Sequence, residues 1–115
     1  MILIITRMKV LPAKRLELSQ TITSLSASIR MEKGCERCDF SESVEDENRF
    51  FLLEEWDTRE NLMIHLKSNH FRVLRGAMNL LREPCERAFY TVSRLPGMEE
   101  TQIISPLTYR KEYLQ

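Results

Sequence analysis

The chain opens on a segment rich in β-branched and long aliphatic residues, Ile2 to Leu11, whose alternation puts Ile2, Ile4, Thr6, Met8 and Val10 on one face of a strand. From Pro12 the period changes. Leu18, Ile22, Leu25 and Ile29 recur at three- and four-residue steps, the stripe of an amphipathic helix running from Pro12 to Lys33 and closed by Gly34 as a left-handed cap. Cys38, Phe40 and Val44 return to alternation, and the acidic cluster Glu45-Asp46-Glu47-Asn48 turns the chain into a hairpin whose second strand is Arg49 to Trp56. Asp57 with Glu60 reads as a capping box for a second helix carrying Leu62 and Leu66. Ser68 and Asn69 break that helix and start a further segment marked by Phe71, Leu74, Met78 and Leu81. The last alternating run is Cys85 to Leu95, with Ala88, Tyr90 and Val92 on one face and Phe89 on the other, and Pro96-Gly97 ends it.

The resulting order, βαββαβ, predicts an α+β fold of the ferredoxin-like kind: an antiparallel sheet with its helices on one face. Residues 1–95 make the domain and residues 96–115 a C-terminal extension. In Ile2-Leu3-Ile4-Ile5 and in Phe50-Phe51-Leu52-Leu53 both faces of the strand are apolar, and helices on one side cover only one of them. An uncovered apolar sheet face forfeits about 1.5 to 3 kcal/mol per large side chain, so two such sheets are expected to pack face to face in a homodimer. The extension carries Ile103, Ile104, Leu107, Tyr109, Tyr113 and Leu114 and is expected to clasp the partner subunit.

Composition narrows the function. Lys plus Arg equals Asp plus Glu at 17 each, so there is no net field to hold a polyanion, and nucleic acid is not an expected partner. Arg7 and Lys9 interrupt the apolar start before it reaches the length of an export signal, and no stretch approaches a membrane span; a cytoplasmic protein is expected. Cys35, Cys38 and Cys85 are then thiols.

The run Glu54-Glu55-Trp56-Asp57 through Leu62, His65, Ser68, His70 and Phe71 resembles the signature E-x-W-x(5)-L-x-x-H-x-x-S-x-H-F of the antibiotic biosynthesis monooxygenase family. Arg30-Met31-Glu32-Lys33-Gly34-Cys35 resembles that family's R-x-E-P-G-C turn, with Lys33 in place of the proline, and Cys38 stands where an aromatic residue is common. The resemblance, over residues 1 to about 95, implies a dimeric α+β barrel with a pocket between sheet and helices. It also implies oxygenation of a quinol or other hydroxylated aromatic by dioxygen with no cofactor and no metal. A deprotonated, electron-rich arene can itself give an electron to dioxygen, so the protein need supply only a base, a polar group for developing charge and a dry cavity.

His65 is the candidate base, because imidazole accepts protons near neutral pH; the alternative is a structural histidine on a helix face. Glu54 shares a strand face with Phe50, Leu52 and Trp56 and needs a partner there, either His65 or a substrate hydroxyl, or else Arg7 or Arg87 on a neighbouring strand. Trp56 is a candidate for stacking on an aromatic substrate, or else core. Thr6 and Tyr90 are candidate hydrogen-bond donors to the substrate, and His70 a further candidate near a helix start. The Cys35-x-x-Cys38 pair lacks the second half of a zinc ribbon and follows a helix rather than preceding one, and alternation sends its sulfurs to opposite faces, so metal or redox use is disfavoured.

Two other functions compete with the oxygenase. One is a non-catalytic small-molecule binder or sensor on the same fold. The other, haem degradation, draws in this family on a strand asparagine with a tryptophan and a histidine on the second helix; Thr6 or Arg7, His65 and Arg75 stand in those places, so the triad is missing.

Overall fold

The computed structural model describes residues 1–98. Four strands, β1 (Ile2–Lys9), β2 (Cys35–Glu42), β3 (Arg49–Trp56) and β4 (Glu86–Thr91), form one antiparallel sheet in the order β2-β3-β1-β4, with α1 (Arg15–Ile29), α2 (Arg59–Leu66) and α3 (Asn69–Ala77) as its helices. The ferredoxin-like α+β architecture is therefore as the periodicity implies. No helix among the described residues is long and apolar enough to cross a membrane. The proposed clasp by the C-terminal extension falls, from residue 99 on, outside the described residues.

The strands form where alternation is strongest, and their register decides what faces the helices. Opposite pairs Ile4–Glu54, Thr6–Leu52 and Met8–Phe50 place these side chains on one layer, and all of them are buried. Against this layer α1 turns Leu18, Ile22, Leu25 and Ile29, the stripe seen in the sequence. On the other face Leu3, Ile5, Phe51, Leu53 and Ala88 keep partial exposure, and Tyr90 beside them is 46% exposed. That apolar strip lies on β3, β1 and β4; on β2 it gives way to Arg37, which pairs with Asp39 and Glu55.

Several boundaries differ from the sequence expectation. Pro12–Lys14 is a 3-10 turn, so α1 starts at Arg15, and it stops at Ile29 because two tight turns through Met31 and Glu32 carry the chain to Gly34. Gly34 does take a positive φ of 86°, and a Cβ there would collide with the side chains of Asp57 and Asn61. The cap of α2 is Thr58, which accepts from the Asn61 amide, rather than Asp57; Asp57 instead accepts from the Thr58 amide and the Asn61 side chain. Those contacts hold its carboxyl below the ordinary value of 3.8. Ser68 caps α3 as expected, accepting from the Phe71 amide.

The cysteine pair requires a correction. β2 begins at Cys35, and a bulge between Cys35 and Arg37 sets Cys35 opposite Trp56 and Cys38 opposite Glu54. Both sulfurs therefore face the helices, because the extra residue, Glu36, reverses the parity that simple alternation assumes. Burial and the Glu54 carboxylate push the Cys35 thiol up to about 11 and the Cys38 thiol to about 12. Neither has the electropositive setting of a reactive thiolate.

Candidate active site between the sheet and the helices

Strand β3 aims Glu54 and Trp56 at the helix layer, two residues apart and both wholly buried. The Trp56 indole N–H donates to Glu54 Oε1 at 3.2 Å. Arg87, on β4, crosses under β1 to donate from a terminal nitrogen to Glu54 Oε2 at 3.3 Å. Of the two arginines considered as partners for Glu54, Arg87 is thus the one that reaches it, while Arg7 lies exposed on the opposite face. His65 projects from α2 into the same layer, also wholly buried, and stacks on Trp56 with ring centroids 4.5 Å apart. Its Nδ1 lies 3.0 and 3.1 Å from the two carboxylate oxygens of Glu32, so the Nδ1–H donates there. The other nitrogen, Nε2, is left 3.5 Å from Glu54 Oε1 with no hydrogen bond among the described residues. The outcome is a chain of groups, Glu32–His65–Glu54–Arg87, running from the edge of the fold into its core.

Glu32 also meets His70, whose Nδ1 is 3.2 Å from Oε2 and whose side chain is 42% exposed. Glu32 sits in the turn after α1, and sequence reasoning did not single it out for chemistry. The signal was present, since Glu32 is the acid of the R-x-E-x-G-C turn, but nothing local says that this turn reaches two histidines on α2 and α3.

Beside Arg87 a cavity of about 140 Å³ opens between β1, β4 and α3. Its accessible lining is almost wholly apolar, from Phe71, Leu74, Met78 and Cys85 with the carbon atoms of Thr6, Arg75 and Arg87. Thr6 Oγ1 and Arg87 Nε are buried without a hydrogen-bond partner among the described residues. The guanidinium of Arg87 lies over the rings of Phe71 and Phe89, 4.8 and 5.3 Å from their centroids, which fixes its plane.

The family model of antibiotic biosynthesis monooxygenases matches residues 1–77. The chain belongs to the antibiotic biosynthesis monooxygenase family. Among solved structures it is similar to a candidate monooxygenase of this family from Nitrosomonas europaea, at 23% identity and a TM-score of 0.76, with 82% of this chain and all of the other covered. A family candidate from Deinococcus radiodurans is 18% identical with a TM-score of 0.75, covering 83% of this chain and 95% of that one. A conserved protein of Methanosarcina mazei is 25% identical at a TM-score of 0.75, covering 80% and 92%. No curated protein matches the chain.

Within this family fold, the residues singled out in the sequence fall into three places. Glu54, Trp56 and His65 form one buried cluster, to which His70 is joined through Glu32. Thr6 lines the adjoining cavity. Tyr90 is elsewhere: with Ile2, Met63 and Leu66 it borders a separate groove of about 300 Å³ along the edge strand β4. Trp56, being wholly enclosed and stacked on His65, presents no ring face to that cavity. No cluster of three or more metal-ligating side chains occurs among the described residues.

Proposed function

We propose that this family member oxygenates a small hydroxylated aromatic with dioxygen, without a cofactor, and works as a homodimer. The observation that carries the reading is the Glu32–His65–Glu54 chain, which runs from the edge of the fold into its core and is tied by Arg87 to the wall of an apolar cavity. A hydroxyarene with its oxygen at Arg87 gives up its proton toward Glu54, and His65 passes the proton to Glu32 at the edge of the fold. Arg87 stabilises the resulting anion, and the Phe71–Leu74–Met78 wall keeps water out. The anion transfers an electron to dioxygen, the radical pair combines, and the hydroperoxide loses water. A hydroquinone and dioxygen thereby give a hydroxyquinone and water, with the substrate itself as reductant. Oxygen uptake across a panel of hydroquinones tests this. We expect turnover in the native protein and a loss of about 100-fold or more in His65→Ala, on the scale of general-base contributions. No uptake with any quinol, or undiminished uptake in a folded His65→Ala variant, refutes it.

The complete burial of His65 and Glu54 also suits a second reading, a binding protein that keeps the cavity without the chemistry. Ligand binding with no oxygen consumption selects that one. The homodimer rests on the apolar strip of Leu3, Ile5, Phe51 and Leu53 on the sheet's far face. Sedimentation should give a dimer that Phe51→Lys dissociates; a native monomer at micromolar concentration removes the pairing.

A further inference from the structure

We propose that Glu32 and His70 are positioning residues for His65: the break between α2 and α3 brings both histidines of the chain to one carboxylate, which holds His65 as the Nδ1–H tautomer with Nε2 bare toward Glu54. The proposal deepens the oxygenase reading and rests on it for the role of His65 as base, while the tautomer itself is measured without substrate. Three observations lead to it.

The first is the break. His65 and His70 stand five residues apart, and on an unbroken helix their side chains would point about 140° away from one another. Instead the Lys67 and Ser68 amides donate to the Ile64 and His65 carbonyls in a tightened last turn, Ser68 caps α3, and the new helix delivers His70 to the acid that His65 meets. Both Nδ1 atoms lie within 3.2 Å of Glu32 Oε2, and Oε1 lies 3.1 Å from His65 Nδ1. The second is the allocation of protons. A neutral imidazole carries one N–H, and His65 has a carboxylate beside each nitrogen. Glu54 already accepts from the Trp56 indole and from Arg87, whereas the side chain of Glu32 has only the two histidines as donors among the described residues. The proton therefore goes to Nδ1, because the opposite tautomer sets a bare nitrogen against both oxygens of Glu32. The third is restraint. Trp56 stacks on the His65 ring and Phe71 meets it edge-on at 5.7 Å, so the ring is held and the carboxylate is the part left to move. Glu32 sits in a turn with its side chain 17% exposed, and with one partner it can swing out to water; the second N–H, from His70, removes that freedom.

Two-bond ¹⁵N–¹H spectra of histidine-labelled protein, recorded without substrate, read the tautomer of each ring. In the native protein we expect His65 Nδ1 to be protonated and Nε2 bare. Glu32→Leu should reverse the two, since Glu54 is then the acceptor that remains beside the ring. His70→Leu should raise the Nε2–H form of His65 about tenfold, as loss of a hydrogen bond to a charged group does, and His70→Asn, whose amide N–H stands in the place of Nδ1, should restore the native spectrum. Thermal melts show whether each variant is folded, and the His70 pair, at a partly exposed position, decides the matter if Glu32→Leu is not. In quinol oxidation His70→Leu should lower kcat with KM unchanged, and His70→Asn should recover it. An Nε2–H tautomer or a doubly protonated His65 ring in the native protein at neutral pH, or an unchanged His65 spectrum in folded Glu32→Leu or His70→Leu, overturns the proposal. A stronger Nδ1–H bond in His70→Leu overturns it too, by showing that His70 competes for Glu32 instead of holding it. A fixed tautomer without oxygen uptake upholds the positioning and defeats the catalytic reading; uptake that is unchanged when the tautomer shifts does the reverse.

Discussion

Replacing Arg87 with methionine isolates the electrostatic core of the site. Glu54 is wholly buried and is approached by three groups: the Trp56 indole at 3.2 Å, Arg87 at 3.3 Å and His65 Nε2 at 3.5 Å. Arg87→Met keeps most of the aliphatic stem but removes the guanidinium that, among the described residues, alone reaches the carboxylate. Removing one partner of a buried ion pair costs about 3–5 kcal/mol. Trp56 and His65 remain beside the carboxylate, so the lower end, about 3 kcal/mol, is expected. Removing both charges, in Glu54→Leu/Arg87→Met, strands only the Trp56 N–H, at about 1 kcal/mol. The double variant should therefore be more stable than Arg87→Met by about 2 kcal/mol. The assay is built in: Trp56 is the single tryptophan of the chain, and its fluorescence reports on this cluster through a urea titration at fixed protein concentration. At about 4 °C per kcal/mol for a chain of this length, the melting temperature of Arg87→Met should fall by about 12 °C. A cost below about 1 kcal/mol for Arg87→Met, or a double variant no more stable than the single one, refutes the reasoning.

Cys38, with its thiol pushed up to about 12, ionises in the unfolded chain near its ordinary value of 9.0 but not in the folded one, so stability should decline as pH rises from about 9 toward 12. Cys38→Ala should flatten that decline in pH-dependent urea unfolding, and an unchanged slope contradicts it. Gly34→Ala combines a positive φ with the side chains of Asp57 and Asn61 in the way, so a loss above the ~1 kcal/mol of a simple left-handed penalty is expected from thermal melts; a neutral effect would show the turn to be adaptable. Asp57, held low by Asn61 and the Thr58 amide, contributes stability above its ordinary value of 3.8 that is lost as pH falls through its folded value. Asp57→Asn should accordingly be less stable than the native protein at pH 7, by a margin that narrows as pH falls below 3.8, read by denaturant midpoints.

Alternation and helical stripes are local quantities, and everything they govern was legible in the chain. They put Ile4, Thr6 and Met8 on one layer with Glu54 and Trp56, laid the α1 stripe against it, and showed that Glu54 needed a partner. They also marked the break at Ser68, because a cap acts within one turn of its helix. The tertiary structure decided what local pattern cannot carry. Glu32 meets His65 across 33 residues, and Arg87 meets Glu54 across 33 more, through contacts set by how far a turn and an edge strand reach over the packed core. A single bulged residue turned Cys35 to the side of Cys38, which no periodicity announces. The cavity beside Thr6 exists only because α3 stands off β1 and β4 by a gap that belongs to their packing and to no one segment's sequence.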